Sequence, residues 1–294
     1  MVKTLLTSLL AVISLAVSVQ AAPVWDVPAK VRQGRAFLVH ITDQKPFRGN
    51  VLWNGASYPA ASSPKKKGHG SYVLLAMPIG TQKPLKVKAD LSGGSLSASV
   101  VPLAVKWPRQ VLTVAPKYVA PPPEVLDRIE KDRRVSRKAL ETVTEPRRWA
   151  LPLHRPVPGA VSSVFGGRRV FNGQPRSPHL GTDLRGAAGT PVETVADGTV
   201  LAAADMYFSG NTVFIDHGRG VISMYCHLSA FSVKEGDTVK RGGIIGKVGA
   251  TGRGTGPHLH CGLYIGKTPV DVMPLFDPAL SHTDGPGKAR PNRK

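Results

Sequence analysis

The chain has 294 residues, of which 39 are Lys or Arg and 19 are Asp or Glu, giving a formal net charge of +20. That length suits two domains of ordinary size. The two cysteines are too few for a disulfide framework, so hydrophobic cores must hold the fold. Such a charge attracts polyanions, but no nucleic-acid recognition motif accompanies it, which argues against a nucleic-acid partner.

The first element has the pattern of a signal peptide. Lys3 precedes an apolar run from Leu5 to Val19, and Val19-Gln20-Ala21 supplies a small-x-small cleavage pattern. The run is shorter than the roughly 20 residues of a spanning helix, and no later segment is long and apolar enough to cross a bilayer. A signal peptide over residues 1–21 is therefore expected, with the mature protein exported to the periplasm, the cell envelope or the medium. Residues 22–150 carry 22 basic and 9 acidic side chains, residues 151–294 carry 16 and 10. The excess, including Lys65-Lys66-Lys67, thus sits mainly in the N-terminal half. In that compartment anionic wall polymers or membrane head groups fit the charge better than nucleic acid, beside the alternative that it only confers solubility.

Residues 22–118 read as short β segments between turns. Ala36–Thr42, Val51–Trp53, Tyr72–Ala76 and Leu85–Ala89 are rich in β-branched, aromatic or other apolar residues, and Leu96–Val100 is a weaker candidate. Gly34, Asn54-Gly55 and Gly93-Gly94 punctuate them. The spacing predicts a small antiparallel sandwich of immunoglobulin-like architecture. Its isolated His40 and His69 read as a strand and a loop residue. Residues 119–150 form a connector: Ala120-Pro121-Pro122-Pro123 is stiff and extended, and a helix of about five turns starts at Glu124 and ends before Pro146. From residue 151 to 281 the chain is glycine-rich and β-like, with strands expected at Gly198–Ala203, Asn211–Asp216, Val221–Leu228, Gly243–Val248 and His258–Ile265. Residues 282–294 are a basic tail, expected to be disordered.

The histidines of this last domain carry the chemistry. His258 and His260 are two apart on a predicted strand, so their rings share a face, while Leu259 and Cys261 turn into packing. His179 and Asp183 lie four apart, with Pro178 and Gly181 disfavouring a regular helix, so a tight loop brings both to one point. Imidazoles plus a carboxylate suit zinc, and three protein ligands leave a fourth position open, as in catalytic sites.

These segments resemble the lysostaphin/LytM family of zinc endopeptidases. The resemblance covers roughly residues 155–278. It runs through Gly159–Gly166, His179-Leu180-Gly181-Thr182-Asp183, Tyr225-Cys226-His227-Leu228, Gly236–Val239, Gly246–Gly252 and Thr255–His260. It implies an antiparallel β-sheet peptidase domain, zinc held by His179, Asp183 and His260, and His258 and His227 acting on the reacting groups. Peptide bonds of peptidoglycan are the implied substrate. An immunoglobulin-like domain before the peptidase also looks like an arrangement known in the family. Thr182 and Cys261 depart from the family pattern, at positions that bear on packing.

With no His-Glu-x-x-His motif to supply a glutamate base, an imidazole takes that role. His258 is expected as the base and His227 as a partner of the oxyanion or the water, with the exchange of these roles left open. Tyr207 and Asn172 are expected at the substrate groove, and His217, His154 and His282 are expected to be bystanders, the last two solvated. Cys226 and Cys261 are expected to point away from the metal, and a disulfide between them is conceivable in an exported chain. Two alternatives stand beside the peptidase: a metal-free scaffold that activates another wall hydrolase, and a polyanion-binding protein. Val233–Ile245 also resembles the hairpin of lipoyl-carrier domains, which would make this half a non-catalytic barrel.

Overall fold

The computed structural model describes residues 23–279, so the expected signal peptide, the basic tail and His282 lie outside the described residues. The fold is mainly β. The first half contains β1 (Val24–Asp26), β2 (Lys30–Arg32), β3 (Ala36–Asp43), β4 (Gly49–Trp53), β5 (Ala56–Pro59), β6 (Ser63–Pro64), β7 (His69–Ala76), β8 (Leu85–Leu91) and β9 (Gly94–Leu103). They form two sheets, ordered β1-β3-β7-β6 and β2-β9-β8-β4-β5, with β2 and β9 parallel and the other pairs antiparallel.

Period-two patterning explains the sandwich. Phe37, Val39 and Ile41 of β3 are buried, as are Val51 and Trp53 of β4 and Val87 and Ala89 of β8. Phe37 and Trp53 join the sheets edge to face at 5.2 Å, and the Trp53 indole N–H donates to the Ala76 carbonyl at 2.7 Å. Asn54 and Gly55 make the two-residue turn between β4 and β5 with φ of 46° and 75°, both in the left-handed region a type I′ hairpin requires. The weakest expected strand, Leu96–Val100, lies within β9, the longest of this half.

Beyond the sandwich come β10 (Arg109–Leu112), helix α1 (Leu126–Glu141), β11 (Val161–Ser163), β12 (Arg168–Phe171) and β13 (Gln174–Pro175). β10 falls inside the stretch assigned by sequence to the sandwich, yet it pairs in parallel with β12, which pairs with β13. The helix has 16 residues, and Pro123–Val125 before it forms a 3-10 turn. It is more than a connector: its buried Ala139 packs with Ala202, Met206, Phe214, Ile222 and Tyr264 on one face of the second domain's sheet.

That sheet is completed by β14 (Thr182–Arg185), β15 (Pro191–Glu193), β16 (Gly198–Met206), β17 (Gly210–Asp216), β18 (Val221–Phe231), β19 (Thr238–Val239), β20 (Ile244–Val248), β21 (His258–Ile265) and β22 (Thr268–Val270). Its path is β11-β14-β21-β18-β17-β16-β19, with β15, β20 and β22 pairing off it. The two halves share one hydrophobic core. Tyr58 of the sandwich donates its hydroxyl to the carbonyl of Ile265 at 3.3 Å. Gly266 (φ 56°) makes room for it, since a Cβ there would sit 2.5 Å from the Tyr58 hydroxyl oxygen.

Candidate active site

β14, β21 and β18 lie side by side and bring four of the five predicted residues together. Asp183 of β14 faces His260 of β21 in register, and Arg185 faces His258. His260 in turn faces Cys226 of β18, next to His227. His179 comes from the loop before β14. Its backbone N–H donates to Gly167 and its carbonyl accepts from Gly166, which fixes the ring under β11.

His179 Nε2, Asp183 Oδ1 and His260 Nδ1 form a triangle with edges of 2.9, 3.0 and 2.8 Å. Ligand atoms around a tetrahedral zinc lie about 3.3 Å apart, so a small outward movement would seat the ion. The surroundings fit one. The Val164 carbonyl, 3.0 Å from His179 Nδ1, can only accept, so Nδ1 carries the proton and Nε2 keeps its lone pair for a metal. Asp183 Oδ2 is engaged by Arg169 at 3.3 Å, leaving Oδ1 to the cluster. Gly181 clears the space, because a Cβ there would meet His260 Nε2 at 2.5 Å. Burial lowers the His179 pKa to about 4 against the pull of Asp183. Burial works against the Asp183 charge, but the neighbouring His179 and His260 outweigh it and hold the carboxyl well below the usual range.

His258 and His227 stand over this triangle with ring centroids 4.8 Å apart. Nδ1 of His258 donates to Gly256 O at 2.8 Å and Nδ1 of His227 to Thr251 O at 2.7 Å, anchors that select for each ring the neutral tautomer whose bare nitrogen is Nε2. His258 Nε2 is 3.9 Å from Asp183 Oδ1. Burial, then the nearby His260 and His258, lower the His227 pKa to about 3.

His227 reaches its place through a bulge. Between the pairs Asn211↔Leu228 and Val213↔Tyr225, the single Thr212 opposes both Cys226 and His227. His227 takes φ of 62°, a left-handed conformation uncommon for a non-glycine residue. The same geometry corrects the cysteine expectation. Both thiols are free, and residues 226 and 261 sit on opposite faces of the pleat, since Cys226 faces His260 and Cys261 faces Tyr225. Cys226 therefore shares the His260 face and only Cys261 turns into the main core. The two departures from the family pattern are cross-strand partners: Thr182 opposes Cys261. They share one buried cell, in which the Thr182 hydroxyl has no partner.

A cleft of about 320 Å³ opens beside the histidines, lined by Gln110, Ser163, Arg169, Phe171, Arg253 and Gly254 among others. Gln110 comes from β10, so the segment leaving the sandwich forms one wall. Its side-chain oxygen accepts from Ser163 Oγ at 3.1 Å. Asn172 and Tyr207 serve this wall rather than line the cleft: Asn172 makes hydrogen bonds of 3.0 and 2.9 Å with the Val114 backbone, and the Tyr207 hydroxyl donates to Lys117 O at 2.9 Å. Sequence reasoning missed Gln110, Ser163, Arg169 and Arg253. Of these, Ser163 stood inside a motif segment and Arg253 between two glycines of the loop before His258, the only local signals available.

The remaining histidines of the described residues lie away from the site. His40 stacks on Tyr72 at 4.3 Å, and His69 opens β7 rather than sitting in a loop. His217 is fully buried, bonded to Asp197 O and Ser223 Oγ at 2.8 and 2.7 Å. His154 is half-buried and paired with Glu193, not free in solvent. Val233–Ile245 is no separate barrel hairpin: β19 pairs with β16 and β20 with β15 and β18, within the sheet that carries the histidines.

A mainly β chain whose sheet carries a His-Asp-His cluster overlooked by two further histidines has the make-up of a metallopeptidase. The model of peptidase family M23 matches residues 177–272. A putative peptidase M23 of known structure from Pseudomonas aeruginosa is 31% identical and superposes with a TM-score of 0.66, over 83% of this chain and 94% of that one. The chain belongs to peptidase family M23. It is also 43% identical over 122 residues to the peptidoglycan DD-endopeptidase ShyA of Vibrio cholerae, which is 41% of this chain and 28% of ShyA. The DD-carboxypeptidase/endopeptidase Mpg of Neisseria meningitidis is 42% identical over 126 residues, 42% of this chain and 29% of Mpg. The chain thus spans under a third of the length of the curated relatives it matches.

Proposed function

We propose that this chain is an exported zinc metalloendopeptidase that hydrolyses peptide bonds in the stem peptides or cross-bridges of peptidoglycan. The observation that carries the reading is the meeting of His179, Asp183 and His260, whose ligand atoms all lie within 4.8 Å of one another. Likeness to relatives named for peptidoglycan cleavage supports the substrate class. Zinc, when bound by these three residues, polarises a carbonyl and lowers the pKa of water to about 7.

The protein's own groups do the rest. His258, its Nδ1 proton held by Gly256 O, offers Nε2 as the base that takes a proton from water and returns it to the departing amine nitrogen. His227, fixed in the same tautomer by Thr251, accepts a hydrogen bond and so orients the water. In this neutral form its Nε2 has no proton to give an oxyanion. Arg169 and Ser163 act through ligands, steadying Asp183 and His179.

Digestion of defined muropeptides, with products weighed and zinc measured, tests the reading. The wild type should bind one zinc and cut a peptide bond. His260→Ala should lose both metal and activity. His258→Ala should keep zinc while kcat falls roughly 10²–10⁴-fold. Undiminished digestion by His260→Ala would sink the proposal.

A further inference from the structure

The cleft beside the metal-ligand triangle is cationic in a way the chain itself does not balance. Arg253 stands in it on a rigid platform. Its N–H donates to Phe208 O at 2.8 Å. The preceding Gly252 (φ 69°) packs so closely that a Cβ would lie 2.3 Å from the Gly210 nitrogen. Thr251, two residues earlier, is the anchor of His227. A Cβ on the following Gly254 would be 3.5 Å from the His258 ring. The backbone at Arg253 is thereby fixed within the loop that adjoins both working histidines.

Phe171 and Phe208 flank this guanidinium, with their centroids 4.7 and 4.9 Å from its central carbon. Such ring contacts engage the charge, and no side-chain hydrogen bond among the described residues uses the N–H donors of Arg253, which are left for a planar acceptor. No carboxylate of the described residues makes an ion pair with Arg253. Its charged neighbours are Arg169 and Arg176, and burial together with their charges lowers its pKa to about 10. Both neighbours also carry a buried Nε with no hydrogen-bond partner. The single acid lining the cleft, Asp183, is committed to His179, His260 and Arg169.

We propose that Arg253 is a specificity-determining residue that grips a carboxylate of the substrate, so that the enzyme selects peptides bearing a free acid close to the scissile bond. The proposal rests on the peptidase reading above. The carboxylate could be the peptide's C-terminus or an acidic side chain, since both offer the same two-oxygen edge to the guanidinium.

Three versions of one cross-linked peptide separate these sources: the free acid, the C-terminal amide and the side-chain amide. kcat and KM are measured on full-length zinc-loaded protein, and binding by calorimetry on His258→Ala. The wild type should prefer the free acid over one of the amides by roughly 10- to 100-fold, expressed mainly in KM. The amide that loses affinity identifies the carboxylate. Arg253→Gln should erase the preference, and Arg253→Lys should restore only part of it, because an ammonium lacks the planar fork. Equal handling of all three peptides by the wild type would overturn the proposal without needing any variant. So would a preference that survives in Arg253→Gln. If nothing is cleaved, the peptidase reading fails, and the binding arm still decides for or against Arg253.

Discussion

The two β domains are built to different standards of regularity. In the sandwich the strand pairings run in unbroken register. In the peptidase sheet the register shifts at five places: Val161/Ser163, Val192/Glu193, Val200/Ala202, Asn211/Val213 and Leu228/Ala230. Two of these flank His227, and another adjoins the pair Ser163↔Asp183. An unbroken pleat alternates side chains between two fixed faces. Asp183, His258 and His260 use that alternation in unbroken register, and His227 reaches the same point only by leaving it. The sandwich spends its residues on a core, the peptidase sheet on aiming side chains.

The largest expected effect that probes this contrast is in the sandwich. Trp53→Ala removes its largest fully buried side chain and the indole bond to Ala76. It should cost about 3–5 kcal/mol. Because the core is continuous between the halves, calorimetry should show one transition at a lower temperature. A second, unshifted transition would mean that the peptidase sheet stands without its regular partner.

A smaller effect tests the other half. His217 has its pKa lowered to about 4, first by burial, with the hydrogen bond to the Asp197 carbonyl opposing. The unfolded chain takes up that proton near pH 6.5, the native protein only near 4. Stability is therefore full above pH 6.5 and falls as pH drops through that window, by about 3 kcal/mol in all. Urea midpoints at pH 7 and 4.5 should show this slope in the wild type and a flatter one in His217→Gln. An identical slope in both would place the acid sensitivity elsewhere.

The smallest effect concerns the wall that joins the domains. Asn172→Ala removes two exposed hydrogen bonds to Val114 and puts alanine at φ of 48°. About 1–2 kcal/mol of local stability should be lost. Hydrogen exchange at residues 112–114 should quicken and KM rise a few-fold. Unchanged exchange there would show that other bonds hold the wall.

Much of this was legible beforehand because it rests on periodicity. Runs of β-branched, aromatic and other apolar residues marked β3, β4, β7 and β8, and the two-residue spacing of His258 and His260 set both on one face of β21. His179 and Asp183 were legible as a pair because proline and glycine excluded a helix between them. The bulge at Cys226 and His227 was not, since a local extra residue leaves no periodic trace and depends on Thr212 of the neighbouring strand. That is why both cysteines were expected to point away from the site, whereas Cys226 shares the His260 face and only Cys261 turns into the core. β10 was also hidden. Its partner β12 lies 59 residues later in matched register, and nothing in Arg109–Leu112 distinguishes a strand of the sandwich from one docked elsewhere.

That misplaced strand has a practical corollary for anyone cutting the gene. A fragment beginning at residue 151 would carry the whole His179, Asp183 and His260 cluster yet lack Gln110 and the edge that covers Phe171. Its trough would be open along one side. The smallest piece with an intact trough starts ahead of Trp107, whose ring packs on Phe165 at 5.8 Å, and so takes in the proline segment and the helix as well.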